Sequence, residues 1–153
     1  MDSETTIIGI ILLLICIVPF LVITKKKATK RKNKLKILTH SVQKMNGAIY
    51  KNEFWNHYGI GLDKTNKMLY FSTQSEEENS YEVINLKSII TCSVIKKQDN
   101  SNSITGLGLQ LDFTDKSKPT VYLSFYERDK NIVLVNELDL IQRWSTTINE
   151  QLS

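Results

Sequence analysis

Few residues in this chain are able to do chemistry, and their spacing does not assemble a catalytic or metal site. Its two histidines, His40 and His57, belong to no HxxxH or HExxH pattern, in which two imidazoles on one helical face bind zinc. Cys92 lies among apolar neighbours, which predicts a small buried side chain rather than a nucleophile. Cys16 lies in an apolar run and receives no role. An enzymatic site built from distant residues, such as His57 with Cys92, is the least favoured hypothesis.

The acidic residues and glycines form no stronger motif. Three adjacent glutamates occupy residues 76–78, whereas calcium loops space their carboxylates so that they converge on one ion. Asp112 and Asp115 flank a predicted turn, and hydrogen bonds within that turn explain them better than acid–base catalysis. The Gly-x-Gly of residues 106–108 continues into alternating leucines and opens no helix, so it does not indicate a phosphate-binding loop. We therefore predict no catalytic residue, no cofactor and no metal.

An apolar segment near the N-terminus predicts a membrane anchor. Fifteen of the 17 residues 7–23 are apolar, and residues 5–24 carry no charge. As a helix this stretch spans about 30 Å, which is one hydrocarbon core of a bilayer. A cleaved secretory signal is the alternative, but acidic Asp2 and Glu4 precede the run and no small-x-small site follows it. We expect a retained transmembrane helix in residues 1–24.

A basic run follows and predicts the orientation of that helix. Eight basic residues and no acidic one lie in this run: Lys25, Lys26, Lys27, Lys30, Arg31, Lys32, Lys34 and Lys36. Positive loops stay in the cytoplasm, so we expect the N-terminus outside and residues 25–153 on the cytosolic side of the cytoplasmic (inner) membrane. These side chains are the candidate contacts with anionic headgroups, at about 1 kcal/mol each near the surface. A solvated linker is the simpler interpretation, and nucleic-acid binding is disfavoured because no aromatic residue interleaves the lysines.

The rest of the chain is mildly acidic and large enough to fold. Residues 37–153 hold 12 basic and 14 acidic residues, a net of −2, although the whole chain carries +4. They also contain 45 apolar side chains, which suffice for a hydrophobic core. We predict three parts: an anchor segment in residues 1–24, a basic linker with a stalk helix in residues 25–47, and a β domain in residues 48–153.

Hydrophobic spacing locates the elements of this part. Leu35, Leu38, Val42 and Met45 lie on one helical face and predict a stalk helix that packs on the domain or on a neighbouring chain. The period then changes to two, which predicts strands near residues 58–62, 68–71, 82–86, 89–95, 107–113 and 121–125. From Asn131 onward apolar residues recur at helical spacing.

The predicted fold is therefore mainly β with helices (α+β). It consists of an N-terminal transmembrane helix and a bent antiparallel sheet or barrel of six to seven strands. A C-terminal amphipathic helix, with Asp129 or Asn131 as its cap, covers that barrel.

This order resembles the pleckstrin-homology (PH)-like superfold, and more closely bacterial single-pass membrane proteins of unassigned function that carry a PH-like domain. The resemblance rests on residues 61–71, on residues 109–116, and on Asn136-Glu137-Leu138 with Trp144, which together span about 95 residues. It implies binding of headgroups, peptides or proteins, or scaffolding. Many members bind phosphoinositides through basic residues at the first strand–loop–strand, where the turn in this chain offers two lysines and no arginine.

Two functions from different classes follow. The first is a membrane-anchored, non-enzymatic interaction or scaffold module with a protein partner. The alternative is an anionic-lipid-sensing domain in which Lys64, Lys67, Lys116 or Lys118 contacts headgroups at the membrane surface.

Overall fold

The structure is a computed structural model that describes residues 3–73, 81–130 and 133–152. It contains α1 (Ser3–Gln43), β1 (Lys51–Trp55), β2 (Tyr58–Asp63), β3 (Met68–Thr73), β4 (Glu82–Asn85), a 3-10 turn (Leu86–Ser88), β5 (Ile89–Gln98), β6 (Ile104–Phe113), β7 (Val121–Glu127) and α2 (Glu137–Leu152). The predicted α+β class, the antiparallel strands and the C-terminal helix are confirmed.

The chain divides into two compact units, Met1–Ile37 and Leu38–Ser153, and the second is called the domain below. The domain begins within α1, upstream of the boundary predicted at residue 48. The reason is that Leu38 and Val42 are buried in its packing.

The first unit is a helical stretch that includes Pro19. No helix within the described residues is long and apolar enough to cross a membrane. In residues 18–28 every side chain except that of Pro19 lies outside the described set. The transmembrane helix predicted from the sequence is therefore not supported by the structure and stays a prediction.

Within the described residues, seven strands form two antiparallel sheets. Sheet 1 has the order β1-β2-β3-β4 and sheet 2 the order β5-β6-β7. In sheet 1 the predicted hairpin is present, with Ile60 opposite Phe71 and a turn at residues 64–67. In sheet 2 Leu109 lies opposite Leu123, as their alternation predicts.

Six of the observed strands were located from the sequence. The remaining one is β1, the first strand of the chain, which the sequence pattern did not locate. Its five residues, KNEFW, are all half-buried, since β1 lies at the edge of sheet 1. Because the two sides of this strand are buried to the same degree, its sequence does not alternate between apolar and polar residues, and a period of two cannot be recognised.

The core lies between the inner faces of the two sheets and α2. Trp144 of α2 is fully buried, and its indole nitrogen donates a hydrogen bond to Glu53 of β1. Each fully buried aliphatic or aromatic side chain contributes about 1.5–3 kcal/mol. The largest fully buried members besides Trp144 are Tyr70, Phe125, Leu38, Ile60, Leu62, Leu69, Leu86, Leu107, Leu109, Leu111 and Leu123.

Helix α2 begins at Glu137, later than the start near Asn131 that the spacing suggested. Asn131 lies outside the described residues, and Leu134 precedes the helix. The Glu137 carboxylate accepts hydrogen bonds from the backbone N–H of Val135 and from the Asn56 side chain. Asp129 lies too far before Glu137 to cap the helix, and the alternative cap predicted at Asn131 lies outside the described residues.

The outer face of sheet 1 is covered by the last turns of α1. Leu38 and Val42 pack there against Tyr70, and all three are buried. The chain then turns at residues 44–46, close to the predicted helix stop. The stalk helix predicted from the spacing is thus present, and its end packs on sheet 1 within the domain.

Candidate anionic-surface interface

The predicted surface contacts of the basic run all lie on α1. Arg31, Lys32 and Lys36 are exposed and Lys34 is half-buried. The side chains of Lys25, Lys26, Lys27 and Lys30 lie outside the described set. The run is therefore helical, and its described members mostly face solvent.

The domain brings a second group of lysines together at one end. Antiparallel alternation places the β2–β3 turn, the 3-10 turn and the β6–β7 turn at the same end of the two sheets. Two backbone hydrogen bonds join these connections: Leu86 N–H donates to Lys67 O at 2.8 Å, and Thr114 N–H donates to Ser88 O at 2.9 Å. The lysines on them are Lys64, Lys67, Lys87, Lys116 and Lys118, called the lysine end below.

Aromatic rings support two of these ammonium groups. The Lys64 nitrogen lies 5.2 Å from the centre of the Tyr50 ring, and the Lys118 nitrogen lies 5.6 Å from that of Phe113. At exposed sites such contacts are worth about 0.5–1 kcal/mol, enough to bias a flexible lysine toward one position. The lysine end therefore presents partly ordered positive charge beside aromatic rings.

Lys67 occupies an unusual backbone position in this group. Its φ is +54°, in the left-handed region, which glycine and asparagine tolerate better than other residues. The three other described non-glycine residues with positive φ are all asparagines: Asn46, Asn56 and Asn102. The β2–β3 turn therefore places a lysine where asparagine or glycine is the more usual residue.

Three aspartates offset part of the charge. Asp63 is buried and accepts hydrogen bonds from Asn66 and from the backbone N–H of Ala48. Hydrogen bonds from Ser117, together with the nearby charge of Lys118, hold the pKa of Asp115 below its ordinary value. With Asp112, whose carboxylate accepts a bond from Thr120, the count is five lysines against three aspartates, or +2.

The opposite end of the domain carries a net negative charge. It holds Glu82, Asp99, Glu127, Asp129, Glu137 and Asp139 against Lys97, Arg128 and Lys130, which is −3 among the described residues. Arg128 pairs with Asp99 at 2.7 Å and also donates to the carbonyl of Ile104, which ties the β5–β6 loop to the end of β7. The glutamates of residues 76–78 lie outside the described residues. The domain therefore has a net positive charge at the lysine end and a net negative charge at the opposite, acidic end.

The candidate chemical residues are not brought together. His40 and His57 are exposed, whereas Cys92 is buried in β5. Burial raises the pKa of the Cys92 thiol to about 11, so it is protonated at neutral pH. Within residues 3–73, 81–130 and 133–152, no group of three His, Cys, Asp or Glu side chains is placed to hold a metal ion.

No protein-family model, no curated protein and no solved structure matches the chain. The PH-like resemblance therefore stays a hypothesis that rests on the order of elements.

Sequence reasoning found four of the five residues of the lysine end and missed one. Lys64, Lys67, Lys116 and Lys118 were recognisable because they lie in predicted turns. Lys87 lies between two strands, in the 3-10 turn that begins where Asn85 accepts a hydrogen bond from the Lys87 N–H. An Asn two residues before a lysine was the available signal, since Asn side chains bond the backbone in such turns.

Proposed function

We propose that this chain is a membrane-anchored, non-enzymatic interaction or scaffold module of the cytoplasmic membrane. The N-terminus lies outside, and the domain, a PH-like unit, lies in the cytosol. The observation that carries the proposal is the uncharged run of residues 5–24 followed directly by eight basic residues. An apolar run of this length is what a bilayer requires of a spanning helix, and the basic residues favour the cytoplasmic side.

The domain supports a binding role by its construction. Its strands and α2 enclose an apolar core. Among the described residues its exposed features are the two charged ends, and no three His, Cys, Asp or Glu side chains are placed to hold a metal ion. A protein partner on these surfaces is consistent with the proposal.

Membrane topology is the first test. The full-length chain is produced in a bacterial host, and membranes are extracted with carbonate and treated with protease from either side. We expect retention in the membrane and digestion of the domain only after the cytosolic side is opened. A matched variant with three leucines of the run, Leu12, Leu13 and Leu14, changed to Asp should leave the membrane fraction. Extraction of the unchanged chain by carbonate would refute the anchor.

The interaction role is tested by crosslinking in intact membranes. We expect a specific partner to be captured by the full-length chain and lost when residues 58–153 are deleted. If no protein is recovered above background, the scaffold role fails even where the anchor is correct.

The second candidate function is the sensing of anionic lipid, and the lysine end is the observation that favours it. Five lysines gather on three connections that backbone hydrogen bonds hold together. Near an anionic surface each is worth about 1 kcal/mol, and salt screens the attraction over about 10 Å at 0.1 M. Acting together they would turn the lysine end toward the headgroups.

Full-length chain in nanodiscs provides the test, because the anchor is then present in every sample. Hydrogen exchange of the β6–β7 turn should slow in discs with anionic lipid relative to neutral discs. The Lys116→Ala/Lys118→Ala variant should lose this difference, whereas Lys96→Ala on β5 should keep it. Equal exchange in both kinds of disc would refute lipid sensing and leave the scaffold proposal intact.

A further inference from the structure

The two edges of sheet 2 are strands β5 and β7, and an edge strand turns unpaired N–H and C=O groups outward. An extended segment of another chain can pair with such groups, so proteins cover or charge their edges. On β7, Phe125 stands opposite no residue of β6, and its carbonyl accepts a hydrogen bond from the indole nitrogen of Trp55 at 2.9 Å. This edge is therefore closed in part by a side chain from β1.

On β5 the outward groups of Cys92 are closed by Asn149 of α2. The Cys92 N–H donates to Asn149 Oδ1 at 3.2 Å, and Asn149 Nδ2 donates to the Cys92 carbonyl at 2.8 Å. One side-chain amide thus makes at Cys92 both of the hydrogen bonds that a residue of a neighbouring strand would make there. Asn149 Nδ2 also donates to the carbonyl of Ser145, one helical turn earlier, which fixes the amide on α2. Asn149 therefore takes the place of a paired strand at this one position.

Along the rest of this edge the backbone is open after Cys92 and irregular before it. Backbone groups alternate along a strand, so those of Val94 and Lys96 point to the same side as those of Cys92. Among the described residues no strand lies beside β5 on that side. Before Cys92 the pairing with β6 shifts between Ile89 and Thr91, and such irregularities interrupt a regular ladder. A strand added to β5 would therefore have to pair at Cys92, Val94 and Lys96.

We propose that Asn149 blocks the addition of another strand to the edge of β5. With the groups of Cys92 occupied, only those of Val94 and Lys96 remain, and so short a ladder does not hold an extended segment in water. Lys96 adds to the block, since its exposed ammonium group opposes burial under another strand. This role belongs to the domain and does not depend on the proposed membrane anchor or on a partner.

Hydrogen exchange of the full-length chain in detergent micelles, followed amide by amide at low and high protein concentration, tests the block. In the wild type we expect slow exchange at Cys92 and fast exchange at Val94 and Lys96 at both concentrations. Asn149→Ala removes both bonds to Cys92, and alanine is a better helix former, so α2 should keep its place. At low concentration the Cys92 amide should then exchange at least about tenfold faster than in the wild type. At high concentration the amides of Val94 and Lys96 should slow at least about tenfold, since open edges of β5 strands can pair with each other.

Thr147→Val is the matched control, because it also removes a hydrogen bond between α2 and a strand. The Thr147 hydroxyl accepts from Lys51 Nζ at 3.0 Å, so its loss affects the contact of α2 with β1 and leaves β5 covered. In this control the Val94 and Lys96 amides should exchange fast at every concentration. The block is refuted if these amides stay fast in Asn149→Ala, if they are already slow in the wild type, or if the control slows them equally. Should Asn149→Ala fail to fold, Asn149→Asp gives the same comparison, since a carboxylate cannot donate to the strand carbonyl.

Discussion

The two sheets of the domain solve the same packing problem in different ways on their outer faces. On sheet 1, the space above Gly61 is filled by Leu38, which comes from α1 and is fully buried. On sheet 2, the space above Gly108 is filled by the ring of Tyr122, which comes from the adjacent strand and is 38% exposed. A glycine on an outer face thus marks a docking position in one sheet and a local cover in the other.

The difference has an energetic consequence. The contact on sheet 1 removes two aliphatic side chains from water, so its disruption exposes apolar surface on both partners. The contact on sheet 2 remains half-solvated, and Lys97 lies over the same Tyr122 ring at 4.7 Å. We expect substitutions on the outer face of sheet 1 to cost more than equivalent ones on sheet 2.

The largest expected effect is that of Leu38→Ala. Because the site is fully buried, the lost transfer free energy and the remaining cavity should lower the free energy of unfolding by about 2–4 kcal/mol. The urea midpoint of the full-length chain in detergent measures the change. Leu35→Ala is the matched control, since Leu35 is 40% exposed and should cost less than about 0.5 kcal/mol. Equal effects at the two positions would show that the end of α1 is not packed on the domain.

The second prediction compares valine at the two glycines directly. Gly61→Val should cost about 1–3 kcal/mol, because the new side chain overlaps Leu38 in a closed site. Gly108→Val should cost less, since the Tyr122 ring can rotate into solvent. A cost at Gly108 that matches or exceeds the one at Gly61 would contradict the assignment of a closed face and an open face.

The third prediction concerns pH and the polar outer face of sheet 2. Hydrogen bonds from Thr120, and then from Thr91 and Gln110, hold the pKa of Asp112 below its ordinary value. A lowered folded-state pKa stabilises the fold above the ordinary aspartate pKa of about 3.9, and this contribution is lost as pH falls through the folded-state value. The urea midpoint should therefore fall more steeply below about pH 4 in the wild type than in Asp112→Asn. Parallel curves would show that these bonds do not persist in solution.

Much of the fold was predictable because its signals are local. The alternation of Leu107, Leu109 and Leu111 predicted β6, since one side of the strand faces the core. The spacing of Leu38 and Val42 predicted a helical face. The sequence could not say that this face would meet Gly61, because such a contact depends on strand pairing over long separations. The start of α2 was misplaced because Leu134 extends the apolar spacing before the helix begins.

The sequence predicted single turns of the candidate interface but not that these turns lie together. Turn chemistry located Lys64 and Lys118 on separate hairpins, but their placement at one end follows from sheet topology. The bond between Leu86 and Lys67 extends the pairing of β3 with β4, in which Met68 lies opposite Asn85. The charge of the opposite, acidic end likewise emerges only when the β5–β6 loop and the start of α2 are brought together.

The smallest expected effect lies at Lys97, on the open face. Its aliphatic carbons lie beside Gly106, where a Cβ would be 3.4 Å from the Lys97 Cδ, and its ammonium group lies over Tyr122. Lys97→Met keeps the aliphatic contact and removes only the charge, so the loss should be about 0.5 kcal/mol. Lys96→Met is the control, because Lys96 is an exposed neighbour on the same strand and no ring contact involves it among the described residues. A loss at Lys97 as large as that of Leu38→Ala would mean that the ring is held as tightly as the end of α1. Both faces would then be closed, and the glycines of the two sheets would play the same part.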